Sequence, residues 1–231
     1  MRRHYRKTLS VLLAVGSAVG IAVSLTAALG GFNAAITNPT NTFSSGTIFL
    51  KELAGATTCY STAAGNVIST NANPNCAANL FNDTVGNNAP GGPALSSTVV
   101  LTNLGTINAA TFTLTPGASC TSAANVATSP YSGSDAAFCG KVDTTIAQGV
   151  GASAVCIFGG TTVPVTGGCT APSSALGTLS TFAGHASISL GALAAGASTT
   201  LTVTTQLDNG TANNTDQGLT ATVPASFLLS Q

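Results

Sequence analysis

The chain has 231 residues, and only 5% of them are Asp, Glu, Lys or Arg, whereas soluble domains average about 25%. So little charge argues against a nucleic-acid binder, which needs clustered Lys and Arg, and against a charge-rich disordered tail. Four of the six basic residues lie in the first seven positions. From residue 31 onward two Lys stand against six Asp and Glu, which gives this part a formal charge of −4.

Residues 1–30 have the pattern of a secretory signal peptide. Four basic residues near the start precede an uncharged stretch, and the small residues Ala28 and Gly30 stand at −3 and −1 of a cleavage position. The sequence therefore predicts a signal helix whose removal leaves a mature chain that begins near Gly31. The alternative is an uncleaved membrane anchor, because the stretch matches the roughly 20 residues that span a bilayer.

Strand-like runs rich in Val, Ile, Leu, Phe and Thr recur along the mature chain. They cover residues 47–53, 57–62, 67–70, 97–102, 111–115, 142–147, 154–158, 186–190, 199–206 and 219–228. In the fifth run Phe112 and Leu114 face one way, and in the ninth Leu201, Val203 and Thr205 do so. This period of two is typical of half-buried antiparallel strands.

The segments between the runs are rich in Gly, Pro and Asn, which mark turns. Residues 71–93 and 119–135 are too irregular for strands and are expected to be long surface loops held by cysteines. Many short strands with this spacing, and no long helical segments between them, favour a sandwich over a parallel α/β fold. We therefore expect residues 31–231 to form a single all-β domain, a jelly-roll-like antiparallel β-sandwich with long disulfide-tied loops.

The cysteine pattern predicts disulfides. A chain with a secretion signal and no CxxC pair lacks the spacing of metal knuckles and thioredoxin-like sites. Six cysteines allow 15 pairings, but they fall into three neighbouring pairs around turn-rich segments, which favours sequential bridges: Cys59 to Cys76, Cys120 to Cys139 and Cys156 to Cys169. Each bridge would close a loop of under about 20 residues, worth roughly 3 kcal/mol in the chain-entropy model. Buried free thiols are the alternative.

No residue pattern for catalysis or cofactor binding is found. His185 is the single histidine after the signal segment and is expected on the surface or in a turn, because Ser-His and zinc sites need further groups beside the imidazole. The acids are scattered singly: Asp83, Asp135, Asp143, Asp208 and Asp216. Residues 208–218 carry oxygen ligands for calcium, but a turn rich in Asn and Gly explains them more simply. We expect no catalytic, cofactor-binding or metal site and no cofactor.

Three segments, in this order along the chain, resemble a known family. Residues 31–50, GFNAAITNPTNTFSSGTIFL, resemble the mature start of the TasA and camelysin-like family of secreted bacterial matrix proteins. Residues 97–117 resemble that family's strand, turn and strand, with Asn103 and Gly105 at the turn, and residues 193–231 resemble its closing section.

This resemblance implies a jelly-roll sandwich, a SipW-type signal peptide removed by a dedicated signal peptidase, and, as in TasA-like members, an extracellular matrix fibre. The six cysteines and few lysines differ from the Lys-rich, cysteine-free TasA type. Camelysins have been classed as metalloproteases, but the sequence has no recognisable zinc motif.

The sequence thus predicts a secreted, non-enzymatic structural protein of a bacterial cell surface or biofilm matrix. Its expected partners are copies of itself, the signal peptidase during export and other matrix components. The alternatives are a monomeric adhesin or ligand-binding module and, less favoured, a camelysin-like protease.

Residues 31–43 are expected to be a donor strand that completes the sheet of a neighbouring subunit. The segment becomes a free N-terminus after signal cleavage and carries no charge. Its alternating apolar residues Phe32, Ala34 and Ile36 would enter slots along an open sheet edge, as in strand addition. The alternative is that the segment folds back onto its own sheet or stays loose.

Overall fold

The computed structural model of the chain describes residues 46–62, 76, 80–81, 89–124, 137–161, 165–211, 216 and 218–231. The predicted signal segment 1–30, the predicted donor strand 31–43 with Phe32, Ala34 and Ile36, and the predicted strand 67–70 lie outside these residues. No helix among the described residues has the length and hydrophobicity needed to cross a membrane.

Twelve strands make up about half of the described residues. They are β1 Leu50–Ala54, β2 Thr57–Tyr60, β3 Leu95–Asn103, β4 Ala109–Pro116, β5 Thr121–Ala124, β6 Val142–Gln148, β7 Val155–Phe158, β8 Val165–Thr166, β9 Ile188–Leu193, β10 Ser198–Leu207, β11 Leu219–Thr222 and β12 Ala225–Ser230. One short helix, α1, spans Leu179–Phe182, and single 3₁₀ turns cover Phe138–Lys141, Gly151–Ser153 and Asn209–Thr211.

The strands form three sheets in which every strand pairing is antiparallel. A seven-stranded sheet has the order β2-β1-β3-β10-β6-β7-β8, a three-stranded sheet the order β12-β4-β9, and β11 pairs with β5. The chain changes sheet repeatedly, after β3, β4, β5, β8, β9, β10 and β11. The predicted all-β antiparallel sandwich is confirmed.

The hydrophobic core lies between the seven-stranded and three-stranded sheets. Leu101 and Leu201 of the larger sheet and Phe112 and Leu114 of the smaller one belong to a single buried cluster, and each is at most 1% exposed. Their alternation along each strand is the predicted one. Burial of each such side chain contributes about 1.5–3 kcal/mol.

The structure corrects the sequence prediction in three places. Residues 119–135 were expected to be a loop, but β5 forms within them and pairs with β11. The run 219–228 is two strands, because Pro224 has no N–H for a ladder bond and separates β11, which pairs with β5, from β12, which pairs with β4. The single-turn helix α1 has no repeating apolar pattern to reveal it, and it begins at a capping box between Thr178 and Thr181.

The predicted turn at Asn103 and Gly105 is confirmed, and its chemistry is clear. The Gly105 N–H donates to Asn103 Oδ1 at 3.0 Å. A Cβ atom on Gly105 would collide with the Thr47 carbonyl oxygen, so only glycine fits where the chain entering β1 passes the turn. Local turn chemistry and long-range packing therefore require the same residue.

Candidate functional site

The borders of the sheets are the first place to look for a site, because an unpaired strand edge can accept another strand. Among the described strands, β2, β5, β8, β9, β11 and β12 each pair on one side only. β5 and β11 have four residues each. β8 has two residues and β2 has four. The pairing of β9 with β4 contains register shifts, and Gly191 within β9 has a φ of 82°. The edges of these strands other than β12 are short or irregular.

β12 has the longest regular edge. It pairs with β4 without a break from Ala225 to Ser230 and contains no charged residue or proline, the usual protection of an edge. Leu229 is buried on the core side, and the Phe227 ring lies 6.1 Å from that of Phe112. Leu228 on the opposite face is 61% exposed. β12 is therefore the best acceptor for an added strand in the described part of the chain.

Three disulfides confirm the prediction from the cysteine pattern. They join Cys59 to Cys76, Cys120 to Cys139 and Cys156 to Cys169, the sequential pairing, and leave no free cysteine. Stable disulfides belong to oxidising compartments outside the cytoplasm. The structure therefore indicates an extracytoplasmic environment for the folded domain.

A partly buried carboxylate lies next to the first bridge. Glu52 of β1 pairs with Cys59 of β2 on one side and with Leu101 of β3 on the other, and it is on the same core-facing row as Leu50 and Ala54. One carboxylate oxygen lies 3.6 Å from Cys76 Sγ, which has no proton to donate in a disulfide. Burial raises the pKa of Glu52 above its ordinary value of 4.5.

His185 has the surface position that the sequence predicted. It is exposed after α1, its Nδ1 lies 2.8 Å from the Ala186 carbonyl oxygen, and its ring contacts Phe158 edge-on. Nowhere in the described ranges do three or more His, Cys, Asp or Glu residues come together as a metal cluster.

A cavity of about 260 Å³ lies on the outer face of the seven-stranded sheet, the face turned away from the core. Its floor contains Thr145 of β6 and Thr202 and Thr204 of β10, and residues 169–172 line the other side. The Cys156 to Cys169 bridge holds this segment against the sheet. The lining offers hydroxyl groups and small apolar surfaces without charge.

Two acidic residues lie on the same outer face, where β6 begins and β10 ends. Asp143 is opposite Gln206 in the ladder, and Asp208 follows two residues later, where its N–H donates to the Lys141 carbonyl oxygen. Asp143 is only 6% exposed, and its Oδ1 has no hydrogen-bond partner. Burial and then the charge of Asp208 raise the pKa of Asp143, against the opposing effect of a hydrogen bond from the Ser174 backbone.

The other acids singled out in the sequence have different settings. Asp216 is buried, and its two carboxylate oxygens accept hydrogen bonds from Lys141 Nζ at 3.0 and 2.9 Å. Asp83 and Asp135 lie outside the described residues. Sequence reasoning treated all five acids as separate and missed the row of Asp143, Gln206 and Asp208. The available signal was an Asp inside the predicted strand 142–147, where a charge is uncommon.

Comparison with known proteins leaves the family open: no protein-family model matches the chain, and no curated protein sequence is significantly similar to it.

Proposed function

We propose that this is a secreted structural protein of a bacterial cell surface or biofilm matrix, and that it polymerises by donating residues 31–38 to the β12 edge of the next copy. The regular, uncharged edge of β12 is the observation that supports this most strongly. Such an edge offers backbone N–H and C=O groups to an incoming strand.

The chemistry of the donor segment matches that of the edge. Residues 31–38 are uncharged and alternate Phe32, Ala34 and Ile36 with smaller or polar residues. Burying the two large side chains contributes about 1.5–3 kcal/mol each before ordering costs. A contact between the start of one copy and the edge of another joins different surfaces, and such head-to-tail contacts give filaments when they do not close into a ring. Pro39 ends the donated part, because it cannot donate to a ladder.

The role is non-enzymatic in this proposal. The contacts that the structure gives for His185 are with the Ala186 carbonyl oxygen and the Phe158 ring, whereas a hydrolytic site needs a carboxylate or a second imidazole beside it. The resemblance of the sequence to TasA-like matrix proteins also supports a non-enzymatic, structural role. The charge-poor body and the three bridges are suited to a stable, exposed protein rather than to one that binds nucleic acid.

A pair of neighbouring alanines tests the donor strand. In an extended strand Ala34 shares a face with Phe32 and Ile36, whereas Ala35 is on the other face. Ala34→Asp would place a carboxylate in the acceptor and should leave the mature protein monomeric. Ala35→Asp adds the same charge on the other face and should leave polymerisation intact.

Sedimentation velocity and electron microscopy over rising concentration are the measurements. The unmodified mature chain and Ala35→Asp should give filaments, and Ala34→Asp and a chain lacking residues 31–38 should stay folded and monomeric. The same sedimentation profile for all four proteins would refute strand donation.

The alternative is a monomeric adhesin or ligand-binding module, and the hydroxyl-lined cavity beside residues 169–172 is the observation in its favour. It requires a single species at every concentration and a rise in Tm with an uncharged ligand. Filament formation that depends on Ala34 would exclude it as the main role.

A further inference from the structure

The row of Asp143, Gln206 and Asp208 presents a physical problem that the fold alone does not solve. Asp143 Oδ1 is buried, and no donor reaches it in the described part of the chain. A buried carboxylate oxygen without a partner is costly, and a second carboxylate nearby increases the cost. A cation bound between the two carboxylates, or a proton on Asp143, would relieve this cost.

The neighbouring groups supply oxygens in the right place. Gln206 lies directly opposite Asp143, and its Nε2 donates to the Gly92 carbonyl oxygen at 2.8 Å, which leaves the amide oxygen as an acceptor. Asp208 lies further along the same face, and its Oδ1 accepts the Gly210 N–H at 3.1 Å. The Asp208 N–H donates to the carbonyl oxygen of Lys141, two residues before Asp143, which keeps Asp208 beside the start of β6.

We propose that Asp143, Gln206 and Asp208 form a calcium site where β6 begins and β10 ends. Calcium takes six to eight oxygen ligands from carboxylates, amides, carbonyls and water. Two carboxylates and one amide oxygen supply the protein part, and water completes the shell at this edge of the sheet. Sites with few protein ligands in extracellular modules bind calcium with Kd of about 10⁻⁴–10⁻³ M.

The site has a structural consequence. β6 and β10 carry the core residues Ile146 and Val203, and the ion would fix the ends of both strands and the segment with Ser174 that caps Asp143. Calcium binding should therefore raise the stability of the whole domain. This inference does not depend on polymerisation, and it applies to a chain lacking residues 31–38 as well.

Thermal unfolding with and without calcium tests the site. In about 10 mM calcium chloride, which exceeds the expected Kd about ten- to a hundredfold, the protein should unfold about 3 °C or more above its Tm in chelator. Magnesium should act less, because it requires tighter octahedral geometry. Calorimetric titration should give one calcium ion per chain.

Three variants identify the ligands. Asp143→Asn and Asp208→Asn should each abolish the calcium-dependent rise in Tm, and Asp143→Asn should keep a Tm in chelator at or above that of the unmodified protein. Glu52→Gln is the control, because it also removes a carboxylate whose pKa burial raises, but one that is only partly buried and lies on the other face of the sheet. It should keep the full calcium response.

An unmodified protein whose Tm does not respond to calcium would refute the site. A response that persists in both Asp143→Asn and Asp208→Asn would also refute it, because the ion would then bind elsewhere. If Asp143→Asn does not fold, the Asp208→Asn protein and calorimetry decide the question.

Discussion

The side chain of Asn103 connects the two sheets, and its removal should destabilise the domain strongly. Asn103 ends β3 and is fully buried. Its Nδ2 donates to the carbonyl oxygens of Ile107 at 3.0 Å and Leu193 at 3.1 Å, and its Oδ1 accepts the Gly105 N–H. Because Leu193 ends β9, this one amide ties the seven-stranded sheet to the three-stranded sheet.

The magnitude follows from the groups left behind. Asn103→Ala removes the side-chain partner of the buried Leu193 carbonyl and of the buried Gly105 N–H, at about 1–3 kcal/mol each. A loss of about 4 kcal/mol is expected, a large part of the 5–15 kcal/mol that stabilises a typical domain. Asn108→Ala is the matched control. Its side chain is exposed and accepts the Ala195 N–H at 2.9 Å, so water can replace it at a cost under about 1 kcal/mol.

Urea unfolding of the monomeric chain lacking residues 31–38 is the assay. For a slope of about 2 kcal/mol/M, the midpoint of Asn103→Ala should fall by about 2 M, and the midpoint of Asn108→Ala by less than about 0.5 M. An unchanged slope would show that the effect is on stability alone. Midpoints for the two variants within about 0.5 M of each other would refute the reasoning that Asn103 joins the sheets.

Two further predictions concern Glu52 and the third bridge. Burial favours the protonated form of Glu52 and raises its pKa in the folded state. The protonated side chain therefore makes its full contribution to folding stability below pH 4.5, and this contribution is lost as pH rises through the raised pKa. Glu52→Gln should therefore be more stable than the unmodified protein at pH 7 but equal to it near pH 4, as measured by urea unfolding across that range; equal stability at both pH values would contradict the burial of this carboxylate. Replacing Cys156 and Cys169 together by Ala should cost more than the roughly 3 kcal/mol of loop entropy, because Cys156 is fully buried. Thermal unfolding should show a larger loss of stability than the same replacement of Cys59 and Cys76, which are half-buried. The reverse order would contradict this prediction.

The sandwich could be predicted because its strands carry a local signal. From Phe112 onward in β4 and from Leu201 onward in β10 every second residue is buried, and all of these except Thr205 are apolar, so the period of two is visible without knowledge of the partner strands. The disulfides could be predicted for a similar reason, since paired cysteines lie close along the chain. β5 has the sequence TSAA, which contains no large apolar residue, and its strand conformation comes from its pairing with β11. Long-range pairing of this kind leaves no local pattern.

The acidic row illustrates the same limit for a site. Asp143 and Gln206 are 63 positions apart in the printed numbering, and only the antiparallel register of β6 and β10 places them side by side. The burial of Asp143 depends in turn on the segment around Ser174. Composition and spacing directed attention to residues 208–218, which include only one member of the row. The rest could not be found without the register.

Hydroxyl groups on the sheets explain how the domain can carry so little charge, and the low charge in turn favours the proposed assembly. On the exposed faces, Ser and Thr side chains on neighbouring strands hydrogen-bond to each other in the positions where many proteins carry ion pairs. The pairs are Ser96 with Thr204, Thr102 with Ser198, Thr111 with Ser230 and Thr115 with Ser187. Cross-strand pairing is thus satisfied without charge, and little electrostatic repulsion opposes the approach of a second copy. Strand addition depends on backbone hydrogen bonds and apolar contacts, which salt screens weakly. A surface of this composition therefore permits an open edge such as that of β12 to act as a joint between copies over a wide range of ionic strength.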